Sequence, residues 1–255
     1  MRLRWLGTAG FEFHASGKVL LADPYLTRNK QARPHQPLHA EDMDKADVIF
    51  LTHGHFDHSY DVPTIAEKTG AMVYCSAGVA ANLRLRGMPW RQVEALNAGQ
   101  KFQVGDVILT PLASRHVVFD IPLMARTLRR SLTHLSSLFQ VNSVRFPEGG
   151  VFNYLLEVDG KRLLHMGSAH LNEGSQPLGD IDVFFVPVQG RSDIQDLAVR
   201  LTEQVAPKIV IPHHHDDFYP PLSQMIDLRP FLAGVAGRLP ETLVIVPELN
   251  RWMEL

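Results

Sequence analysis

The residues best suited to chemistry lie in one hexapeptide, residues 53–58, which holds four candidate metal ligands. Its sequence is His53-Gly54-His55-Phe56-Asp57-His58. In an extended turn, His53 and His55 can bring their rings to one ion, while Asp57 and His58 point elsewhere and can hold a second ion. Neutral imidazole nitrogens and a carboxylate suit zinc, manganese or iron. The alternative is a solvated loop that is rich in histidine by chance, but dense clusters of this kind more often indicate a metal or catalytic site.

A buried strand must position this hexapeptide. The apolar run Val48-Ile49-Phe50-Leu51 directly precedes it and is typical of a parallel strand covered on both faces, and Thr52 closes the run. Open α/β sheets place their ligands in the crevice at the carboxyl ends of the strands. The hexapeptide is therefore predicted to lie at such a sheet edge.

Strand and helix patterns alternate in the first part of the chain, and hairpins follow. The predicted helices cover 62–69, 77–85, 194–205 and a stretch near 226–232. The predicted strands cover 2–6, 11–14, 18–22, 48–51, 71–75, 93–96, 101–104, 106–112, 152–158, 162–166, 182–188, 208–211 and 243–246. Asp159-Gly160 is a strong hairpin signal between two of these strands. This mixture favours two packed sheets over one purely parallel sheet.

Composition limits the classes of protein that need to be considered. The chain has 255 residues, a length that one domain can fill, and a formal net charge of −2, which does not indicate nucleic-acid binding. No apolar stretch approaches the ~20 residues of a membrane span, and no signal-peptide core follows Arg2 and Arg4. Cys75 is the only cysteine, so no intrachain disulfide can form, which favours a cytoplasmic location. We expect a single domain over 1–255.

The hexapeptide resembles the signature of the metallo-β-lactamase superfamily, and other segments resemble its motifs in the same order. One branch of the superfamily, which includes ascorbate-phosphate lactonase and N-acyl phosphatidylethanolamine phospholipase D, opens with "WLGH(A/S)(G/S)F", which resembles Leu3-Arg4-Trp5-Leu6-Gly7-Thr8-Ala9-Gly10-Phe11. The "iliDP" segment of that branch resembles Leu20-Leu21-Ala22-Asp23-Pro24. The later motifs belong at the positions of His116, Gly167-Ser168 and Pro212-His213-His214-His215. The resemblance covers roughly residues 1 to 220. It implies an α/β (α+β) fold, a four-layer αββα sandwich of two mixed β-sheets with the metals at one edge.

The resemblance also implies two sets of ligands. His53, His55 and His116 would hold a first ion, and Asp57, His58 and His214 would hold a second. A lone histidine such as His116 is more often structural, but it follows a predicted strand end at the family's third motif. The pattern "P-x-H-x-x-x-F" selects His214, with His213 as the alternative if the register is shifted by one residue.

Asp23 is expected to orient a ligand histidine and the loops of the site, as partners of metal ligands commonly do. The alternative for Asp23 is that it only caps a turn.

Ser168 departs from the family pattern, because most members carry an aspartate there that bridges two metals. A serine hydroxyl is a poor ligand, although some metallo-β-lactamase subclasses with serine at this position still bind two zinc ions. One or two ions are therefore expected. His170 is a candidate substitute ligand, or else a surface or substrate-facing histidine.

Two further segments could influence binding. An amphipathic helix with a basic polar face is predicted over 121–139, within an inserted segment of about 119–145. It is either an ordinary helix packed on the sandwich or a lid, a homo-oligomer contact or a membrane-surface contact.

In the irregular loop 27–44, Arg28, Lys30 and Arg33 could attract an anionic substrate or could simply be solvated.

These observations predict a metal-dependent hydrolase with zinc as the favoured metal, and with Mn²⁺ or Fe²⁺ as alternatives. A metal-bound hydroxide, oriented by Asp57, would attack an ester, phosphodiester or (phosphorylated) lactone in a small-molecule or amphiphilic substrate. The alternative is a metal-binding sensor or scaffold protein with a weakened site and little turnover. A redox enzyme with two irons is less favoured, because Ser168 replaces an acidic ligand.

Overall fold

The apolar runs of the sequence pair into two mixed β-sheets. The computed structural model describes residues 1–121, 144–171 and 178–255, and the strands within them form two seven-stranded sheets. In spatial order the first sheet contains β14 (Trp252–Glu254), β1 (Arg2–Gly7), β2 (Gly10–Ala15), β3 (Lys18–Ala22), β4 (Val48–Phe50), β5 (Met72–Ser76) and β6 (Val93–Leu96). The second contains β13 (Leu243–Val244), β12 (Ile209–His213), β11 (Val183–Pro187), β10 (Lys161–Met166), β9 (Val151–Val158), β8 (Val107–Ser114) and β7 (Phe102–Val104).

Both sheets change from antiparallel to parallel pairing at an inner strand. The first is antiparallel from β14 to β3 and parallel from β3 to β6. The second is antiparallel from β7 to β10 and parallel from β10 to β13. The parallel strands β4 and β12 both end next to residues that were predicted to bind metal, as expected for ligands at the carboxyl ends of parallel strands.

Helices connect the parallel strands. They are α1 (Phe56–Ser59), α2 (Val62–Thr69), α3 (Ala77–Leu85), α4 (Ile194–Val205) and α5 (Arg229–Arg238). Gly70 ends α2 in the left-handed conformation, at φ 74°, and its N–H donates to the Ala66 carbonyl at 2.9 Å. A glycine adopts this conformation without a steric penalty, which is why the sequence predicted the end of this helix correctly.

Apolar side chains form three layers of packing between the sheets and helices. The space between the two sheets contains the buried rings of Trp5, Phe11, Phe13, Phe50, Tyr154 and Phe185. On the outer face of the first sheet, Ile65 of α2 and Val79 of α3 belong to one cluster with Ile49. On the outer face of the second, Val199 of α4 and Phe231 of α5 belong to one cluster with Phe184. The order helices, sheet, sheet, helices confirms the predicted αββα sandwich.

The C-terminal elements differ from the prediction. The helix expected near 226–232 is α5, which begins at Arg229, because Asp227 accepts a hydrogen bond from the Arg229 N–H at 3.1 Å and Pro230 lies in the first turn. Proline is tolerated there because the first N–H groups of a helix have no partner within the helix. The predicted strand 243–246 is limited to β13. Strand β14 was missed because it is short and pairs with β1 at the other end of the sequence.

The predicted amphipathic helix over 121–139 lies almost wholly outside the described residues, as do the residues 122–143 of the inserted segment. The expectation of a single domain stays a prediction. Every helix within the described ranges is too short or too polar to cross a lipid bilayer.

Candidate metal centre

The hexapeptide directly follows β4, but only its first half is extended. Helix α1 begins at Phe56, and the N–H groups of His58 and Ser59 donate to the His55 carbonyl at 3.1 and 3.0 Å. The predicted extended turn is therefore replaced, from Phe56 onward, by one turn of helix. This turn separates His53 and His55 from Asp57 and His58, so that the two pairs belong to different groups of candidate ligand atoms.

Gly54 allows the hexapeptide to lie close to a second backbone segment. Its N–H donates to the Glu148 carbonyl at 2.8 Å. A Cβ atom at this position would lie only 2.2 Å from the carbonyl oxygen of Pro147, so any other residue would push the two segments apart. The glycine therefore fixes the path of the chain between the first two histidines.

The first cluster consists of three histidines from both sheets. The ring centroids of His53 and His55 are 4.7 Å apart, and those of His53 and His116 and of His55 and His116 are 5.0 and 4.6 Å apart. One nitrogen from each ring lies within 4.8 Å of the others. His53 and His55 follow β4 of the first sheet, and His116 follows β8 of the second. Three imidazoles converging in this way are typical of a site with an open position for water or substrate.

The second cluster adjoins the first and contains Asp57, His58 and His214, whose candidate ligand atoms also lie within 4.8 Å of one another. Asp57 Oδ2 lies 3.2 Å from His214 Nε2 and 3.6 Å from His58 Nε2. The ring centroids of His53 and His58 are 3.9 Å apart, so the clusters form one continuous centre. His214 follows β12, so this cluster also has ligands from both sheets.

Asp23 is fully buried behind the centre and organises two of its histidines. Its carboxylate accepts hydrogen bonds from the Thr52 N–H at 2.8 Å and from Thr52 Oγ1 at 2.6 Å, and Oδ2 lies 2.9 Å from His58 Nδ1. Because Thr52 Oγ1 donates its hydrogen to Asp23, it can only accept from His53 Nδ1, which lies 3.1 Å away. The network therefore engages Nδ1 of both His53 and His58 and leaves Nε2 of each ring for an ion.

The remaining ring contacts fit the same arrangement. His116 Nδ1 lies 2.8 Å from the Val117 carbonyl oxygen, which leaves its Nε2 for an ion. His53 Nε2 is buried, and it has no hydrogen-bond partner among the described residues. A buried nitrogen without a partner is costly unless a ligand occupies the space beside it. These nitrogens and the Asp57 carboxylate fit a metal ion, which is the group that the fold family implies.

Burial keeps the histidines of the first cluster neutral. It lowers the pKa of His53 well below its ordinary value, lowers that of His55 to about 4, and lowers that of His116 as well. A neutral imidazole is the form that binds a metal ion. The three rings are therefore ready to bind metal at neutral pH without first losing a proton.

The carboxylates stay ionised although they are buried. Burial raises the pKa of Asp57, but the charge of His58 and the hydrogen bond from His214 outweigh it, so that this pKa lies below its usual range. Burial likewise raises the pKa of Asp23, but His58 and His165 outweigh it and lower the value to about 2. Both groups therefore carry a negative charge at neutral pH, which favours a cation in the centre.

The structure brings His214, and not its alternative His213, to the centre. His213 ends β12 and is buried between the sheets, where its ring stacks 5.4 Å from that of His165. His214 then adopts the left-handed conformation at φ 61°, and its N–H donates to the Thr8 carbonyl at 2.9 Å. Non-glycine residues rarely adopt this conformation, and such residues cluster at functional sites.

Two contacts anchor the loop after His214. The ring of His215 stacks on Trp5 with centroids 4.4 Å apart, and the buried Asp216 forms an ion pair with Arg28 and accepts a hydrogen bond from the Thr8 N–H at 3.1 Å. Arg28 is therefore neither a solvated loop residue nor a binding site for an anionic substrate, since it is buried against Asp216. Sequence reasoning missed this role because it depends on a contact between distant parts of the chain.

Ser168 lies next to the loop of His116, and His170 belongs to neither cluster of candidate ligands in the described part of the chain. Ser168 is buried, and its Oγ accepts a hydrogen bond from the Val117 N–H at 2.8 Å. The carbonyl of His170 accepts hydrogen bonds from Ser114 Oγ and Asn153 Nδ2, each at 2.9 Å. In this geometry Ser168 supports the loop that carries His116, in contrast to the bridging role of the family's aspartate.

We expect the Ser168→Ala variant to bind metal more weakly at the first cluster. The substitution leaves the buried Val117 N–H without a partner, which should cost about 1–3 kcal/mol of stability. It should also release the loop of His116 and lower metal affinity by about 10-fold, at the low end of the effect of losing an outer partner. Zinc titration and urea unfolding measure the two effects.

Thr202→Val is a suitable control for this prediction. Thr202 is also buried, and its hydroxyl donates to the Ala198 carbonyl at 2.7 Å within α4, away from the centre. The control should change stability without changing metal affinity. Equal metal affinity in Ser168→Ala and the wild type would show that the serine does not position His116.

Comparisons with known proteins agree with this geometry. The profile of a family described as "Beta-lactamase superfamily domain" matches residues 2–214. The chain is 32% identical over 226 residues to a protein of Staphylococcus carnosus named "UPF0173 metal-dependent hydrolase", and the match covers 86% of each chain.

Solved structures show the same fold. Igni18, a metallo hydrolase from Ignicoccus hospitalis, matches with a TM-score of 0.70 and 19% identity, and the match covers 100% of this chain and 98% of that one. An isothiocyanate hydrolase from Delia radicum gut bacteria matches with a TM-score of 0.68 and 16% identity, over 100% and 99% of the two chains. At these identities the likeness concerns the fold alone.

Proposed function

This chain belongs to the metallo-β-lactamase superfamily and to its metal-dependent hydrolases, and from that premise we propose that it cleaves an ester, phosphodiester or lactone bond with zinc as its native metal. The observation that carries the proposal is the pairing of the two clusters. His53, His55 and His116 adjoin Asp57, His58 and His214 at one edge of the sandwich. Nitrogen ligands with a single carboxylate suit zinc better than magnesium or calcium, which prefer oxygen ligands.

Metal ions bound here would lower the pKa of water from about 15.7 to near 7 and would polarise the carbonyl or phosphoryl oxygen of the substrate. The protein's own residues determine how the water is directed. Because its pKa lies below the usual range, the Asp57 carboxylate is better suited to accept a hydrogen bond than to retain a proton. We therefore assign Asp57 the role of orienting the attacking water.

Two side chains that could in principle attack a substrate directly, those of Cys75 and Ser168, are not suited to do so. Burial raises the pKa of the Cys75 thiol to about 12, and this residue packs in the outer core of the first sheet. The Ser168 hydroxyl oxygen accepts a hydrogen bond from a backbone N–H, and Ser168 has no histidine base among its described hydrogen-bond partners. Direct attack by water therefore fits the site better than a covalent intermediate on the protein. The lone buried Cys75 is also compatible with a cytoplasmic location, which stays a prediction.

The choice among substrate bonds follows from the branch that the N-terminal segments resemble. Trp5 to Phe11 and Asp23-Pro24 favour a phosphodiester, a phosphorylated lactone or another ester over a β-lactam. A fold of this kind hosts many reactions, so the bond must be identified by assay.

The proposal is tested with protein stripped of metal by a chelator and then reloaded with Zn²⁺, Mn²⁺ or Fe²⁺. Each sample is assayed on a carboxylic ester, a phosphodiester, a γ-lactone and a β-lactam. We expect the stripped protein to lose at least about 10³-fold in rate and zinc to restore it, since metal ions contribute several kcal/mol to catalysis of this type.

Two results would decide against the proposal. Hydrolysis that survives complete removal of metal would contradict the role of the centre. Stable metal binding without cleavage of any of the four bonds would favour the alternative, a sensor or scaffold protein.

A further inference from the structure

A short apolar rim, residues 117–121, lies beside the centre and exposes large side chains to solvent. The exposed fraction is 75% for Val118, 48% for Phe119 and 76% for Ile121. Single exposed apolar residues are ordinary, but a run of them next to a binding site indicates contact with an apolar group.

The rim is held in place, although its side chains are exposed. The Val117 N–H donates to Ser168 Oγ at 2.8 Å, and Arg191 donates to the Val118 carbonyl at 3.2 Å. The Ser192 N–H donates to the Asp120 carboxylate at 3.0 Å. Four hydrogen bonds to two separate loops, including one from Ser192 Oγ to Asp120, thus fix the position of this five-residue segment.

Gly190 adds to this fixed arrangement. It has φ 118°, and a Cβ atom there would lie 2.8 Å from Val117 Cγ1 and 3.7 Å from Phe119 Cε1. The missing side chain therefore leaves the space in which Val117 and Phe119 pack. A larger residue at position 190 would push the Val117 side chain aside, while Phe119 would remain in ordinary van der Waals contact with it.

Phe119 is the rim residue whose side chain packs against a candidate metal ligand. Its ring meets that of His116 edge to face, with centroids 5.5 Å apart at an interplanar angle of 70°. On the other side of the centre, Phe218 meets His214 in the same way at 5.0 Å, and Phe56 lies 6.0 Å from Phe218. One aromatic ring thus packs on a candidate ligand of each cluster, and Phe119 is the more exposed of the two, at 48% against 9% for Phe218.

We propose that Phe119 determines substrate specificity by packing against an apolar aryl or alkyl group next to the bond that is cleaved. The inference rests on the proposed function of the same centre and names its substrate class. Aromatic rings prefer to pack edge to face or offset, so a planar or branched apolar group fits beside Phe119 better than a charged one. A difference of one methylene group in a hydrophobic site changes the preference between substrates by about 10- to 200-fold.

The test compares ligands that differ only in the apolar group. Binding of acetate and phenylacetate to the zinc-loaded protein is measured by calorimetry, and hydrolysis of ethyl acetate and ethyl phenylacetate is measured by proton release. We expect the wild type to prefer each phenyl compound by roughly 10-fold or more. Phe119→Ala should reduce both ratios toward one without weakening acetate binding. Phe119→Leu, which retains apolar bulk, should keep part of the preference.

Trp90→Ala serves as a matched control, because Trp90 is an exposed aromatic residue, at 68%, in a short turn before β6 and away from the centre. It should leave both ratios unchanged. The inference is overturned if Phe119→Ala and the wild type prefer the phenyl compounds equally, or if the wild type shows no preference. It is also overturned if the wild type binds neither acetate nor phenylacetate.

The two proposals fail in different ways. If neither ester is cleaved but the phenylacetate preference disappears in Phe119→Ala, the centre does not hydrolyse carboxylic esters and the role of Phe119 stands. If ethyl acetate and ethyl phenylacetate are cleaved at equal rates by the wild type, hydrolysis stands and the role of Phe119 is wrong.

Discussion

Replacing His214 by alanine should lower the metal content from two ions to one per chain and reduce hydrolysis by at least about 10³-fold. The second cluster would keep only Asp57 and His58, which are too few to hold zinc in a four-coordinate site. The first cluster would keep all three histidines, so one ion should remain. Metal analysis of protein purified without added metal, together with the rate on the bond that the wild type cleaves, measures both effects.

The control for this variant is His35→Ala, which removes an exposed histidine that is in neither cluster. Its metal content and rate should match those of the wild type. One ion in both the wild type and His214→Ala would mean that the second cluster does not bind metal and that the reaction uses one ion. Two ions in His214→Ala would mean that another residue is the sixth ligand.

Replacing Asp23 by alanine should have the largest effect on stability, about 3–5 kcal/mol, because it leaves a buried His58 and Thr52 without their charged partner. Asp23→Asn retains the shape, but its amide hydrogens would face groups that also donate. We expect the asparagine variant to lose less stability and still to bind metal about 10- to 100-fold more weakly, since His53 and His58 lose the network that orients them.

Urea unfolding and zinc titration separate these effects. Asp47→Asn is the matched control, because Asp47 also accepts a hydrogen bond from a backbone N–H, that of Val19 at 2.8 Å. Asp47 directly precedes β4 and contacts the start of β3, whereas Asp23 follows the end of β3. It should lose a little stability and no metal affinity. Unchanged metal affinity in Asp23→Asn would mean that Asp23 only stabilises the turn after β3.

Local patterns were sufficient to predict most of the fold. The run Val48 to Leu51 predicted β4, Gly70 predicted the end of α2, and the pattern over 194–205 predicted α4 with its observed bounds. Each of these signals is complete within a few neighbouring residues. The two groups of candidate ligands were also anticipated, because the hexapeptide contains four of the six residues and its family resemblance supplied the other two.

The features that were missed depend on contacts between distant segments. Nothing near Arg28 in the sequence indicates its buried ion pair with Asp216, 188 positions away. The hydrogen bond from the Val117 N–H to Ser168 could not be predicted for the same reason, since it joins the ends of β8 and β10. Phe119 has no sequence signal of its own, because its position beside His116 depends on hydrogen bonds between its segment and other loops.

The division of the candidate ligands between the two sheets has a consequence for the stability of the folded protein. Asp57 and His214 are 157 positions apart in the chain and meet only when both sheets are assembled. An ion held by both would cross-link the sandwich and would bind the folded chain but not the unfolded one. By mass action, a free metal concentration of 100 times Kd would add about 2.7 kcal/mol to the free energy of unfolding. The temperature of unfolding would then follow the metal supply, and a shortage of metal would lower the stability of the protein as well as its activity.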